Sequence, residues 1–194
     1  MASNNIEIES KVLLSKSDYE KIIVKLNFGN KNIVQTNYYL DSEDRDLKNY
    51  GMVLRVRKTV DVVKLTMKAP MSEGLLEKNQ VLNEKESSAL LDHDIFPRGD
   101  IHDFLEILHI DPSTLKVLAN LTTERKEIQY QDTMLDVSKN TYSGKVDYEL
   151  ECDSDSTLKS QGTLRDICSD LDIEFKLNTL SKETRAINAA TGTK

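Results

Sequence analysis

Glu7-Ile8-Glu9-Ser10-Lys11, set within residues 6–12, alternates between apolar and charged at nearly every step. Neighbouring side chains of a β-strand point to opposite faces, so the stretch predicts a half-buried strand. Ile6, Ile8 and Val12 share one face, and Glu7, Glu9 and Lys11 share the other. Strand-like patterning recurs at 33–40, 53–59, 61–68, 76–82, 117–130, 133–142 and 146–153. The segments 53–59 and 61–68 follow one another tightly enough to predict a hairpin. Elsewhere the period lengthens to that of helices, at 84–91, 100–108, 157–171 and 181–189. Ser17 and Glu20 read as a capping box for an earlier helix with the stripe Tyr19, Ile22, Ile23 and Leu26. Asp111-Pro112 opens a further short turn of helix.

These elements predict an α+β fold in one domain over residues 1–194, with a helical insertion at about 84–115. Eight antiparallel strands close or nearly close into a β-barrel, and helices cover its outside. The chain has 194 residues, 38% of them hydrophobic, which is enough for a sizeable core. Its 26 Lys and Arg against 33 Asp and Glu give a net charge of −7, which weighs against a dedicated nucleic-acid binder. Cys152 and Cys168 form neither a CxxC pair nor a disulfide framework. No apolar run approaches the roughly 18 residues of a membrane span, and the polar start Met1-Ala2-Ser3-Asn4-Asn5 lacks a leader pattern. The expectation is a reduced, cytoplasmic, soluble protein, monomer or homodimer, with no membrane partner. His93, His102 and His109 show no zinc-ligand spacing and read as surface or helix-end residues.

The polar faces carry the chemistry. By parity, Arg55 and Arg57 lie together opposite Leu54 and Val56, while Lys64, Thr66 and Lys68 lie opposite Leu65 and Met67. Asp136 and Ser138 lie opposite Leu135 and Val137, and Asp147, Glu149, Glu151 and Asp153 lie opposite Tyr148, Leu150 and Cys152. The plain explanation is a sheet with one apolar face on a core and one charged face in water. Two features weaken it. Like charges recur two residues apart, where they repel, and the signs are sorted by strand, with acids early and late and bases in the middle.

Sorted faces suit a multiply charged ligand. Paired carboxylates match a hard, oxygen-seeking cation such as Mg2+ or Mn2+. Rows of Arg and Lys match phosphate oxygens, Arg offering its planar fork to two at once. There is no GxxxxGK[ST] and no GxGxxG. Any phosphate site must therefore be built from side chains on strands.

With these residues in place, the chain resembles the CYTH, or triphosphate tunnel metalloenzyme, superfamily over nearly all its length. Glu7-Ile8-Glu9-Ser10-Lys11 matches the ExExK signature, Leu54-Arg55-Val56-Arg57 matches LRxR, and Tyr148-Glu149-Leu150-Glu151 contains the ELE segment. Tyr38-Tyr39-Leu40-Asp41, Leu65-Thr66-Met67-Lys68 with Pro70, Glu77, Arg125 and Leu135-Asp136 resemble the family's other strands, in its order. The small Bacillus-type bacterial members, often labelled adenylate cyclase-like, are the most similar.

The resemblance implies an eight-stranded barrel whose lumen is a triphosphate tunnel. It implies a divalent metal held by Glu7, Glu9, Asp136, Glu149 and Glu151. It implies a triphosphate held by Lys11, Arg55, Arg57, Lys64, Lys68 and Arg125, with Lys182 and Arg185 on a C-terminal helix that closes the tunnel. Lys11, Glu9 and Glu149 are the catalytic candidates, Lys11 orienting water first and accepting a proton second. Asp153 stands where the family more usually has Glu, and the segment 181–185 is a looser match. The expected activity is metal-dependent hydrolysis of an inorganic or organic small-molecule triphosphate. The alternatives are an adenylate cyclase making cyclic AMP from ATP and a non-catalytic polyphosphate- or nucleotide-binding module.

Overall fold

The computed structural model describes residues 8–71 and 75–192. Among these are eight strands: β1 (Ile8–Leu14), β2 (Ile33–Asp41), β3 (Val53–Lys58), β4 (Val63–Pro70), β5 (Leu75–Leu82), β6 (Lys116–Tyr130), β7 (Thr133–Tyr142) and β8 (Lys145–Ser154). Six helices accompany them: α1 (Lys16–Lys25), α2 (Asp46–Asn49), α3 (Glu84–His93), α4 (Asp100–Ile107), α5 (Thr157–Asp170) and α6 (Lys182–Thr191). A 3-10 turn covers Pro112–Thr114. The strands form one antiparallel sheet in the order β1-β8-β7-β6-β2-β3-β4-β5, a linear order that ends at β1 and β5. The eight expected strands are therefore all present.

The chain divides into two compact units. One comprises Met1–Val34 and Thr123–Ser181, the other Gln35–Thr122 and Lys182–Lys194. In the first, Val12, Leu14, Leu135, Val137, Leu150 and Cys152 present one sheet face to Ile22 of α1 and Leu164, Ile167 and Cys168 of α5. In the second, Leu40, Leu54, Val56, Leu65 and Met67 pack against Leu47, Leu90, Ile101 and Leu105 from α2, α3 and α4. Both cores take every second residue of their strands, so the residues between are turned to the opposite face.

Local chemistry explains the boundaries. Helix α1 is capped by Ser15, whose Oγ accepts the Asp18 amide at 3.1 Å, and not by the expected Ser17–Glu20 box. Ser15 is extended and already carries an acceptor three residues ahead of Asp18, so the helix begins two residues earlier than the Ser17 reading placed it. Asn83 and Glu86 form a reciprocal capping box at α3. The β7–β8 hairpin turns on Ser143 (φ 44°) and Gly144 (φ 73°), both left-handed as a tight two-residue hairpin turn requires.

The short α2 was not foreseen, and Asp41 is its organiser. The buried carboxylate accepts the amides of Ser42 (2.9 Å), Leu47 (2.9 Å) and Lys48 (3.2 Å), and the Arg45 Nε–H at 3.0 Å. It fixes the turn in which Arg45 adopts φ 61°. Replacing Asp41 by Ala leaves three amides and a guanidinium without their acceptor. At about 1 kcal/mol for each of these four lost bonds, an expected roughly 4 kcal/mol of stability is lost, read by urea unfolding. A loss below about 1 kcal/mol would place the anchor of this turn elsewhere.

Candidate active site

In the first unit the expected acids stand side by side. The register sets Lys11 opposite Glu151 and Glu9 opposite Asp153 across β1–β8. It sets Asp136 opposite Glu151 and Ser138 opposite Glu149 across β7–β8. Glu149 is 0% exposed, and Asp136 and Glu151 are 5% exposed. A water-facing charged surface is thereby excluded for these three. Carboxylates directly opposite each other repel, and burial raises the cost of each charge by several kcal/mol unless a counter-charge is near.

Two cations supply part of that counter-charge. Lys11 Nζ lies 3.2 Å from Glu151 and also donates to Glu9, while Arg125 Nη1 lies 2.9 Å from Asp136 and its Nη2 pairs with Glu127. The Ser138 hydroxyl donates to Asp136 at 2.9 Å. Burial works to lower the Lys11 pKa, but Glu151, Glu9 and Glu149 outweigh it and hold the ammonium above its usual value. Lys11 is therefore protonated throughout the neutral range.

Glu7 lies outside the described residues. Glu9, Asp136, Glu149 and Glu151 offer only carboxylate oxygens, a donor set suited to a hard divalent cation. Their oxygens are not gathered at ligand spacing. Among the described residues, the only three-residue group with ligand atoms all within 4.8 Å is His102, Asp103 and Glu106 on α4. That group was not anticipated, and His102 is buried rather than at the surface. Phe96 lies against the imidazole, and Arg98, ahead of α4, sits 3.4 Å from His102 and 3.7 Å from Glu106 as the local cation.

In the second unit the bases share a face. The register sets Arg57 opposite Lys64, Arg55 opposite Thr66 and Val53 opposite Lys68 across β3–β4. Two cations face each other directly at Arg57 and Lys64, an arrangement that costs stability without an anion. Arg57 Nε donates to the buried Asn37 at 2.9 Å, and Lys68 lies 3.2 Å from Glu77. Asn79 and Lys68 hold the Glu77 carboxyl below its ordinary range against a smaller opposing effect of burial. The Nε of Arg55 is buried and has no hydrogen-bond partner. Lys58 has the opposite parity and is exposed.

Helix α6 begins beside this face. Arg185 is buried and Lys182 half-buried. Between them Glu183 feels Arg45, Asp41, Arg55 and Lys48, and burial pushes its carboxyl up to about 7. Tyr39, opposite Arg55 on β2, is buried and pushed up to about 12. Sequence reasoning missed Asn37 and Glu183. Asn37 shares parity with Tyr39 and Asp41 on its strand, but Glu183 carries no sequence signal beyond its place between Lys182 and Arg185.

An open cleft of about 520 Å³ lies along Leu13, Ser15, Asp18 and residues 173–178, lined by none of the expected site residues. Cys152 and Cys168 are free and buried, their thiols pushed up by burial.

Comparisons with known proteins place the chain in a family. The family model described as the CYTH domain matches residues 5–187. YjbK of Bacillus subtilis, provisionally named a triphosphatase, is 33% identical over 150 residues, 77% of each chain. A crystal structure from Bacillus halodurans, provisionally named an adenylate cyclase, matches with a TM-score of 0.79 at 34% identity, over 93% of this chain and 96% of that one. HpAC1 from Hippeastrum, for which a dominant triphosphatase activity is described, matches in fold with a TM-score of 0.75 at 19% identity, over 97% of each chain. With a family match spanning nearly its whole length, over strands that carry the motifs in order, this chain belongs to the CYTH domain family.

Proposed function

We propose that this chain is a divalent-metal-dependent triphosphatase. The observation that carries the reading is the sorting of charge in the folded chain: buried carboxylates on β7 and β8, and Arg57 facing Lys64 across β3–β4. Each arrangement sets like charges directly across a strand pair, and each suits a ligand of opposite charge. The names of YjbK and HpAC1 support hydrolysis of a triphosphate.

In this reading Glu9, Asp136, Glu149 and Glu151, with Glu7, hold Mg2+ or Mn2+, which supplies charge neutralisation at the transferred phosphoryl group. Arg55, Arg57, Lys64 and Lys68 hold phosphate oxygens, and Arg125, Lys182 and Arg185 add to them. Lys11 keeps its proton, so it orients water or a phosphoryl oxygen and does not serve as the base. Catalysis is then chiefly positioning and electrostatic stabilisation.

The name of the Bacillus halodurans structure favours a second reading, cyclisation of ATP. Incubating the protein with inorganic triphosphate, thiamine triphosphate and nucleoside triphosphates, each with Mg2+ or Mn2+, and separating the products decides between them. Orthophosphate release supports the triphosphatase. Cyclic AMP with pyrophosphate overturns it in favour of the cyclase, and unchanged substrates favour a binding module.

Binding itself is read by melting. A non-hydrolysed triphosphate with metal at ~100 times its dissociation constant adds about 2.7 kcal/mol, or on the order of 5–11 °C for a chain of this size. Orthophosphate with metal is expected to give a smaller shift. Equal shifts would remove the case for an extended triphosphate site.

A further inference from the structure

Asn37 meets the basic row from its flank. It lies on β2, is 2% exposed, and stands opposite Arg57 of β3 in the register. Its Oδ1 accepts the Arg57 Nε–H at 2.9 Å. On the other side of β3, the register sets Lys64 of β4 opposite the same arginine. Arg57 is thus tied to an uncharged acceptor on one flank and faces a cation on the other. Lys11, Arg125 and Lys68 are held differently, by the carboxylates of Glu151, Asp136 and Glu77. A carboxylate neutralises the cation that it orients, whereas an amide oxygen orients a guanidinium and leaves its charge intact.

We propose that Asn37 is a positioning residue for Arg57, its amide oxygen holding Nε so that the two terminal nitrogens of the guanidinium are aimed at phosphate oxygens. The inference rests on the triphosphate reading above and adds how one cation of that site is aimed. A guanidinium can present two parallel N–H groups along the edge that includes Nε, or along the edge formed by Nη1 and Nη2. The bond to Asn37 occupies the first edge and so selects the second.

Fixing the fork in advance raises affinity. An arginine left to rotate loses side-chain freedom when it binds an anion, and one already held by a neighbour loses less. Asn37 can serve as that neighbour because it is short, enclosed and set on a paired strand. Removing its oxygen has two effects. The Nε–H loses this acceptor, which lowers stability, and the fork is freed to turn. The second effect reaches the ligand only through Arg57, which separates an aiming role from a merely structural one.

The test is a double-mutant cycle read by calorimetric titration of the full chain with imidotriphosphate and Mg2+. Asn37→Leu, close in size but without the acceptor, is expected to weaken binding by about 10-fold in the otherwise unaltered chain. In the Arg57→Ala background the same change is expected to weaken it less than about twofold. Equal losses in the two backgrounds, or no loss in either, overturn the inference and leave the triphosphate reading intact. Absence of binding to the unaltered chain overturns that reading, and the inference with it. The unaltered chain also supplies a readout that needs no substitution at 37. The Arg57 Nε–H, assigned by its disappearance in Arg57→Ala, is expected to give a 15N–1H cross-peak that exchanges slowly with water and persists at saturating ligand. Exchange as fast as that of the exposed Arg98, or loss of the peak when the ligand binds, overturns the inference.

Discussion

Glu151→Gln is expected to lower triphosphate turnover by roughly 100-fold or more while changing the melting temperature of the ligand-free protein little. The substitution removes one of Lys11's partners at 3.2 Å, which costs stability. It also removes the repulsion between Glu151 and Asp136, which the register sets directly opposite each other. Lys11 keeps Glu9, so no buried cation is stranded. The two effects oppose each other, whereas the metal affinity of a carboxylate set falls in one direction when an anionic oxygen is replaced by an amide. Chelation with EDTA is expected to abolish turnover in the unaltered protein, and Mg2+ or Mn2+ to restore it. Full activity in a metal-stripped sample, or in Glu151→Gln, would remove the metal role from these strands.

The second large effect belongs to the basic row. Arg57→Ala and Arg55→Ala are each expected to weaken triphosphate binding by about 10- to 100-fold, the equivalent of a charge-assisted hydrogen bond of roughly 1.5–3 kcal/mol. Lys58→Ala is the control, because Lys58 adjoins Arg57 in sequence but is exposed with the opposite parity. It is expected to change the dissociation constant less than twofold in ~0.15 M salt, where exposed charges are screened. Equal effects at 57 and 58 would show that binding senses net charge alone and that the face carries no site.

The period of two made the strands and their faces legible. Leu54 and Val56 are fully buried and Arg55 and Arg57 point away from them, as alternation in the sequence requires. The same rule placed Glu149 and Glu151 on one face of β8, opposite Leu150 and Cys152. Alternation carries no information on the depth of the charged face. That Asp136, Glu149 and Glu151 are buried depends on tertiary structure, which one strand's sequence does not encode. The cap of α1 was misread because Ser15 and Ser17 both satisfy the rule and only backbone geometry separates them. The turn of α2 was invisible because it rests on the buried carboxylate of Asp41, four donors gathered from residues 42–48. Glu183 carried no signal in the sequence, since its environment comes from β2 and β3, more than 100 positions earlier.

The pairing of β1 with β8 bears on how the chain is made. Lys11 and Glu151 meet across the pair yet stand 140 positions apart. At ribosomal rates of about 5–20 residues per second, β1 waits roughly 7–28 s for its partner to be synthesised. Throughout that interval its backbone amides and carbonyls are an open edge, the usual template for mispairing between nascent chains. Glu9 and Lys11 alternate along it with Ile8, Ser10 and Val12, so the first half of the waiting strand carries two charges on one face. The charges that give the finished site its character thus also serve as gatekeepers during translation. Neutralising several at once would be felt first as lost soluble yield, before any rate was measured.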